Sequence, residues 1–93
     1  MINKDLLKKL KQSAHHLKPI ILVGHKGITE SLVNETNIAL DVHECIKIKV
    51  SGWEKEDRNN MIESLCQQLQ ATFIQNIGHT FVIFRQRKDN KQS

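Results

Sequence analysis

Apolar residues recur at helical spacing in three segments of the chain, which predicts three amphipathic helices. The first helix follows Asn3, a favourable N-cap, and ends by Lys18, because the residue before Pro19 avoids the helical region. The second begins after Thr29, another N-cap residue, and the third begins near Lys55. The faces contain Leu6, Leu7, Leu10 and Ala14 in the first helix; Leu32, Val33, Thr36, Ala39, Leu40 and His43 in the second; and Met61, Ile62, Leu65, Cys66 and Leu69 in the third.

Four short segments have the composition of β-strands. Residues 20–23 are apolar on both faces, which favours an interior strand, whereas residues 45–50 alternate apolar side chains with two lysines. Residues 73–77 and 80–84 flank Gly78-His79, which predicts a tight hairpin. The predicted order is α-β-α-β-α-β-β. This order predicts an α/β two-layer sandwich in which three helices accompany a four-stranded mixed sheet, since both helices and a hairpin connect the strands.

The length of 93 residues and the hydrophobic content of 39% fit one small globular domain. We assign residues 1–86 to this domain and residues 87–93 to a basic tail that we expect to be disordered. No apolar run approaches the roughly 20 residues that a membrane helix needs, and the first residues lack the apolar region of a secretion signal. Together with two cysteines that are not closely spaced, this predicts a cytoplasmic protein with reduced thiols.

The net charge of +4 is distributed unevenly along the chain. Residues 1–26 contain six lysines and one aspartate, residues 27–46 contain four acidic residues and no lysine or arginine, and residues 85–93 are basic again. This segregation predicts one basic face that binds an acidic partner such as a nucleic acid. Part of the charge forms a stripe on the first helix, for which a simple solvated face is the alternative interpretation. The stripe contains Lys4, Lys8, Lys11 and His15.

The segment Gly24-His25-Lys26-Gly27 lies between a predicted strand and a predicted helix N-terminus. Two glycines let a sugar-phosphate backbone come close, and the free N–H groups of the helix that follows Thr29 favour an anion. Lys26 adds a cation, and His25 can donate a hydrogen bond or stack on a base. KH domains hold several nucleotides with a GxxG loop in this way. A plain turn between strand and helix is the alternative interpretation of the same four residues.

Three segments resemble the CRM domain, the YhbY family: residues 17–29 (LKPIILVGHKGIT), 43–49 (HECIKIK) and 78–85 (GHTFVIFR). The resemblance spans about residues 6–85, and the chain closely resembles the bacterial members that consist of a single such domain. It implies a fold like the C-terminal domain of bacterial translation initiation factor three, RNA binding, association with large ribosomal subunit precursors and a role in ribosome maturation. The sequence departs from the family pattern at His25 and His79, where lysine is common, and at Phe84, where tyrosine is frequent.

Other kinds of site find no support in the pattern. The five histidines and two cysteines show no CxxC or HxxxH spacing, and no nucleophile is accompanied by a base. We therefore predict no catalytic residue, metal, cofactor, small-molecule substrate or membrane partner. Trp53 lies in a predicted turn, where we expect it to pack against the edge of the core instead of stacking on a base.

We predict a monomeric, non-enzymatic protein whose partner is RNA, in particular ribosomal RNA of large-subunit precursors. Replacing Gly27 with Asp is expected to weaken binding and to leave the fold intact. Two alternatives stay open: a protein-interaction module of the ribosome or translation machinery, and a small enzyme that acts on a phosphorylated ligand. The predicted RNA-binding residues are Gly24, His25, Lys26, Gly27, Thr29, Lys4, Lys8, Lys11, Lys18 and Arg85.

Overall fold

The computed structural model describes residues 2–87, and its helices and strands follow the predicted order. The strands form one mixed sheet in the order β1-β2-β4-β3, in which β1 is parallel to β2 and β4 is antiparallel to both of its neighbours. The predicted fold class is therefore confirmed. The elements are α1 (Lys4–Ala14), β1 (Pro19–Val23), α2 (Glu30–His43), β2 (Cys45–Val50), α3 (Lys55–Leu69), β3 (Thr72–Ile77) and β4 (Thr80–Phe84).

Two of the helices begin at the capping residues that the sequence predicts. The Asn3 Oδ1 atom accepts a hydrogen bond from the backbone N–H of Leu6 at 2.8 Å. The Thr29 Oγ1 atom accepts one from the N–H of Leu32 at 3.1 Å. Each bond satisfies one of the backbone donors that a helix leaves unpaired in its first turn, which explains why α1 and α2 start at these residues.

The sheet separates two apolar cores. The larger core lies between the sheet and the helices α2 and α3, and the smaller one lies between the sheet and α1. The strand β4 contributes to both, because Phe81 and Ile83 face the larger core while Val82 faces the smaller one. The sheet with α2 and α3 forms two layers, but the prediction of only two layers was wrong. The helix α1 adds a layer on the opposite face, a position that the sequence pattern did not specify.

The prediction that β1 is an interior strand was wrong. This strand lies at one edge of the sheet, beside β2. Its side chains Ile21 and Val23 are buried, but Ile20 and Leu22 on the other face are 45% and 67% exposed. The reason is that α1 packs over β2 and β3 and leaves this face of β1 uncovered. Pro19, the first residue of β1, fits an edge position because proline has no N–H to donate.

Residues 88–93 of the predicted tail lie outside the described residues, so the division at residue 87 stays a prediction. Within residues 2–87, no helix is both long enough and apolar enough to cross a membrane. Both cysteines are free thiols, and burial raises the pKa of Cys66 to about 11. Burial also raises the pKa of Cys45, against the opposing effect of the positive charge of Lys47. Both thiols are therefore protonated near neutral pH.

Replacing Leu10 with alanine should lower the free energy of unfolding by about 2–4 kcal/mol, because the substitution leaves a cavity between α1 and the sheet. Chemical denaturation followed by circular dichroism measures the change. Ile38→Ala is the matched control, since Ile38 is 62% exposed on α2 and should change stability by less than about 0.5 kcal/mol. Equal stability of the two variants would show that the packing of α1 does not stabilise the fold.

Candidate nucleic-acid interface

The Gly24–Gly27 loop is a tight turn at the end of β1. The carbonyl oxygen of Gly24 accepts a hydrogen bond from the N–H of Gly27 at 3.0 Å, which closes the turn. His25 and Lys26 occupy its tip, and both are exposed. Gly27 has a φ angle of +72°, a left-handed conformation that glycine adopts without steric cost. The loop therefore presents its two polar side chains to solvent on a backbone of defined shape.

The indole of Trp53 fixes this turn from the side of α3. Its Nε1–H donates a hydrogen bond of 2.9 Å to the carbonyl oxygen of Gly24, the same oxygen that closes the turn. The ring also packs against the larger core, which confirms the packing role that the sequence predicts. The carbonyl of Trp53 in turn accepts a bond of 2.7 Å from Arg58 Nη1. The start of α3 thus holds the loop in place, a contact that no local sequence pattern indicates.

The two glycines of the loop have different roles. A Cβ atom added at Gly24 would meet no other atom within 4 Å, so the surface over this residue is open to a ligand. A Cβ atom added at Gly27 would lie 2.9 Å from Met61 Cε and 3.4 Å from Trp53 Cζ2. Gly27→Asp should therefore destabilise the fold as well as alter the loop, because the residue must keep a positive φ angle and displace the end of the Met61 side chain. Close approach of a ligand is possible at Gly24, whereas Gly27 is needed for the turn itself.

Gly27→Ala should lower the free energy of unfolding by about 1–3 kcal/mol, since the residue must keep a positive φ angle and displace Met61. Gly24→Ala, the control in the same turn, should change stability by less than about 0.5 kcal/mol. Thermal or chemical denaturation of the two purified variants tests the difference. Equal effects of the two substitutions would contradict the separate roles that we assign to these glycines.

Thr29 acts in the structure as a helix cap. Its hydroxyl accepts the N–H of Leu32, and its carbonyl oxygen accepts the N–H of Val33 at 3.0 Å. Glu30, in the first turn of α2, is exposed and already places a negative charge at the positive end of the helix dipole. An external anion would compete with this carboxylate, so the N-terminus of α2 is a weaker anion site than the sequence suggests.

The lysines of α1 lie on one face of the molecule. Lys4, Lys8 and Lys11 are all exposed, and the stripe continues at His15. The β2 lysines, Lys47 and Lys49, point to this same side of the sheet, because the apolar residues that alternate with them face the opposite core. Lys18 is exposed just before β1. The sequence pattern predicts the alternation in β2, but the two lysines are not among the predicted binding residues.

Arg85 does not belong to this basic face. Its guanidinium donates hydrogen bonds to the side chain and backbone carbonyl of Asn37, at 2.8 and 3.1 Å, and to the carbonyl of Leu69 at 3.0 Å. It also forms a salt bridge of 2.8 Å with Asp41. The loop follows Val23, which pairs with Val50 at the C-terminal end of β2. Arg85 follows Phe84, which pairs with Cys45 at the N-terminal end of β2. These ends are roughly 17 Å apart, so Arg85 joins β4 to α2 and α3.

The charges of the two faces are opposite in sign. From Glu30 to Glu44, α2 and its C-cap contain four carboxylates and no lysine or arginine. The side chain of Arg87 lies near Glu44, with a distance of 3.7 Å between Nε and Oε2. The two arginines after β4 therefore neutralise acids of α2. The exposed positive charge that is free of such pairing in residues 2–87 lies mainly on α1, β2 and the loop.

These features define a class of small α/β domain in which a glycine loop joins an edge strand to a helix beside a basic face. The model of the CRS1 / YhbY (CRM) domain family matches residues 2–85. The chain belongs to this family.

Several relatives support the assignment. A probable RNA-binding protein of Pseudomonas aeruginosa is 35% identical over 91 residues, which cover 97% of this chain and 88% of the relative. An RNA-binding protein of Haemophilus influenzae is 38% identical over 82 residues, covering 88% and 83% of the two chains. The solution structure of the hypothetical protein SAV1595 from Staphylococcus aureus superposes with a TM-score of 0.81 at 29% identity. That superposition covers 99% of this chain and 96% of the other.

Proposed function

We propose that this protein binds RNA through the Gly24–Gly27 loop and the lysines of the α1 face. The observation that carries the proposal is the separation of charge across the sheet. The α1 face combines six lysines and one aspartate from α1 and β2, whereas the opposite face carries the carboxylates of α2. Lysines gathered on one face attract the phosphates of a nucleic acid. The names of the relatives and the family membership support the same function.

The loop is suited to hold the sugar-phosphate backbone. The open surface over Gly24 allows a phosphodiester to approach the main chain, with Lys26 and His25 beside it. The bonds to the Gly24 carbonyl fix the turn before any ligand binds, so little conformational entropy is lost on binding. A lysine or histidine that contacts the backbone carries no sequence information, so RNA shape would contribute most of the selectivity.

The proposal extends to the RNA that is bound and to where binding occurs. We propose ribosomal RNA in precursors of the large ribosomal subunit as the target, with the protein acting as a cytoplasmic monomer during ribosome maturation. Membership of the CRM family supports this extension. Crosslinking in cells, followed by sequencing of the bound RNA, should recover large-subunit precursor RNA. Recovery of messenger or transfer RNA alone would contradict the ribosomal part and leave RNA binding itself unaffected.

Gly24→Asp should weaken RNA binding about tenfold, because it places a carboxylate where the phosphate approaches. Fluorescence anisotropy with a labelled fragment of large-subunit RNA measures the dissociation constant at fixed salt. Gly24→Ala is the control, since it adds only a methyl group in open space and should bind within about twofold of the unaltered protein. Equal affinities of Gly24→Asp and the unaltered protein would show that the backbone is not held at this loop.

Lys26→Gln should reduce the salt dependence of RNA binding, lowering the slope of log K against log salt by about 0.7–0.9 for one lost phosphate contact. Arg85→Gln removes the same charge but should leave the slope unchanged, because Arg85 is bonded to Asn37 and Asp41. The second variant should instead lower the free energy of unfolding by about 1.5–3 kcal/mol. If Arg85→Gln instead reduced the salt dependence of RNA binding and left the free energy of unfolding unchanged, Arg85 would be an RNA-contacting residue.

A second function has one specific observation in its favour. Ile38 and Val42 lie one turn apart on the acidic helix α2 and are 62% and 55% exposed. An apolar pair among carboxylates fits a protein partner with a basic surface. Capture of partners from cell extract with and without nuclease separates the two functions. Partners that persist after nuclease treatment and are lost in the double variant Ile38→Ser/Val42→Ser would establish protein binding at α2.

A further inference from the structure

We infer that the part of the sheet left uncovered by α1 is a groove for single-stranded RNA that continues from the Gly24–Gly27 loop. We call this surface the open sheet face. The inference rests on the proposed RNA binding and specifies the form of RNA and the residues that contact it. The residues of the open sheet face are Ile20, Leu22, Lys47, Lys49, Thr80 and Ile77.

Strand pairing places these side chains in a row across the sheet. Leu22 on β1 pairs with Lys49 on β2, which pairs with Thr80 on β4, which pairs with Ile77 on β3. Three strand spacings separate the ends of the row, a distance of about 14 Å. Across the sheet, the row therefore contains an apolar side chain, a cation, a hydroxyl and a second apolar side chain.

The apolar members of the open sheet face are largely exposed. Leu22 and Ile77 are 67% and 66% exposed, and Ile20 is 45% exposed. They lie on the α1 side of the sheet, but the C-terminal end of α1 stops short of the row. There, Ala14 and His15 line a cavity of about 170 Å³ together with Thr80. Neighbouring exposed apolar side chains on one surface are typical of an interaction site. The end of α1 forms a wall beside the strip, so the surface is a groove.

The mixture of side chains favours a single strand over a duplex. In a duplex the base faces are stacked inside the helix and only the backbone and base edges reach a protein, so Leu22 and Ile77 would gain little. A single strand exposes its base faces, which can lie against aliphatic side chains while its phosphates contact Lys47 and Lys49. Contacts of this kind do not depend on base identity. The groove would therefore select unpaired RNA without a strong sequence preference.

The position and charge of the groove point to RNA and not to a protein. Leu22 lies two residues before Gly24, a distance of about 7 Å along an extended strand, so RNA held at the loop is within one nucleotide's length of it. The two lysines of the row are positive, and the carboxylates of the described residues lie on or next to α2 and α3, apart from Asp5 in the first turn of α1. The groove thus continues the proposed RNA surface with the charge that phosphates require.

The test uses the full chain and two labelled probes, a 12-nucleotide polyuridine and a G·C-rich RNA duplex of 12 base pairs, which stays paired at the assay temperature. Leu22→Ser should weaken binding of the single strand about three- to tenfold and change duplex binding less than twofold, because only the single strand offers base faces. Ile38→Ser is the matched control, since Ile38 is exposed to a similar degree on the opposite face of the molecule. This control should bind both probes like the unaltered protein.

Lys49→Gln supplies a second measurement on the same surface. It should lower the salt slope for the single strand by about 0.7, while Leu22→Ser leaves that slope unchanged. The inference is wrong if Leu22→Ser and Lys49→Gln bind polyuridine like the unaltered protein while Gly24→Asp binds it more weakly. In that case RNA binding at the loop stands and the groove does not.

Two other outcomes would also overturn the inference. Leu22→Ser could weaken both probes equally, which would show that the groove does not select single strands. Leu22→Ser could instead lose a protein partner after nuclease treatment while binding polyuridine normally, which would make this face a protein-docking surface. If the unaltered protein binds no RNA probe, the proposed function itself is wrong. That result is seen with the unaltered protein before any variant is compared, so it is distinct from a failure of the groove.

Discussion

The antiparallel pairing of β2 with β4 is the constraint on which the rest of the structure depends. Ile46 and Ile48 on β2, with Phe81 and Ile83 on β4, form the floor of the larger core. The intervening residues face α1, so a one-residue slip in register would exchange the two faces and bury lysines. The same pairing therefore fixes both cores and keeps the lysines of β2 on the side of α1.

The separation of charge follows directly from this arrangement. The helix α2 has acidic residues and no lysine or arginine, and it packs on one face of the sheet, while the lysine-rich helix α1 packs on the other. The arginines after β4 strengthen the separation, because Arg85 and Arg87 lie at the C-terminal part of α2 beside Asp41 and Glu44. Residues that look alike in the sequence, a lysine near the start and an arginine near the end, consequently have unlike roles. One faces solvent on the basic side, and the other joins elements together.

Local patterns in the sequence predicted the helices, the strands and two of the caps, since each depends on neighbours within a few residues. Asn3 and Thr29 are examples, because each bonds an N–H only three residues away. The environment of Arg85 could not be predicted in this way, because Asn37 is 48 residues distant along the chain. The exposure of Leu22 was also missed, because an apolar run does not show whether a helix will cover it. The position of the Gly24–Gly27 loop was predicted, but the binding role of its residues stays a proposal.

The contact of Trp53 with the loop has a consequence for how binding can be observed. Trp53 is the only tryptophan in the chain, and its indole N–H is bonded to the carbonyl of Gly24. The emission of an indole responds to its hydrogen bonding and to nearby polar groups. The protein therefore has an intrinsic fluorophore at the Gly24–Gly27 loop, and binding at this loop can be followed by tryptophan fluorescence in the unlabelled, unaltered chain.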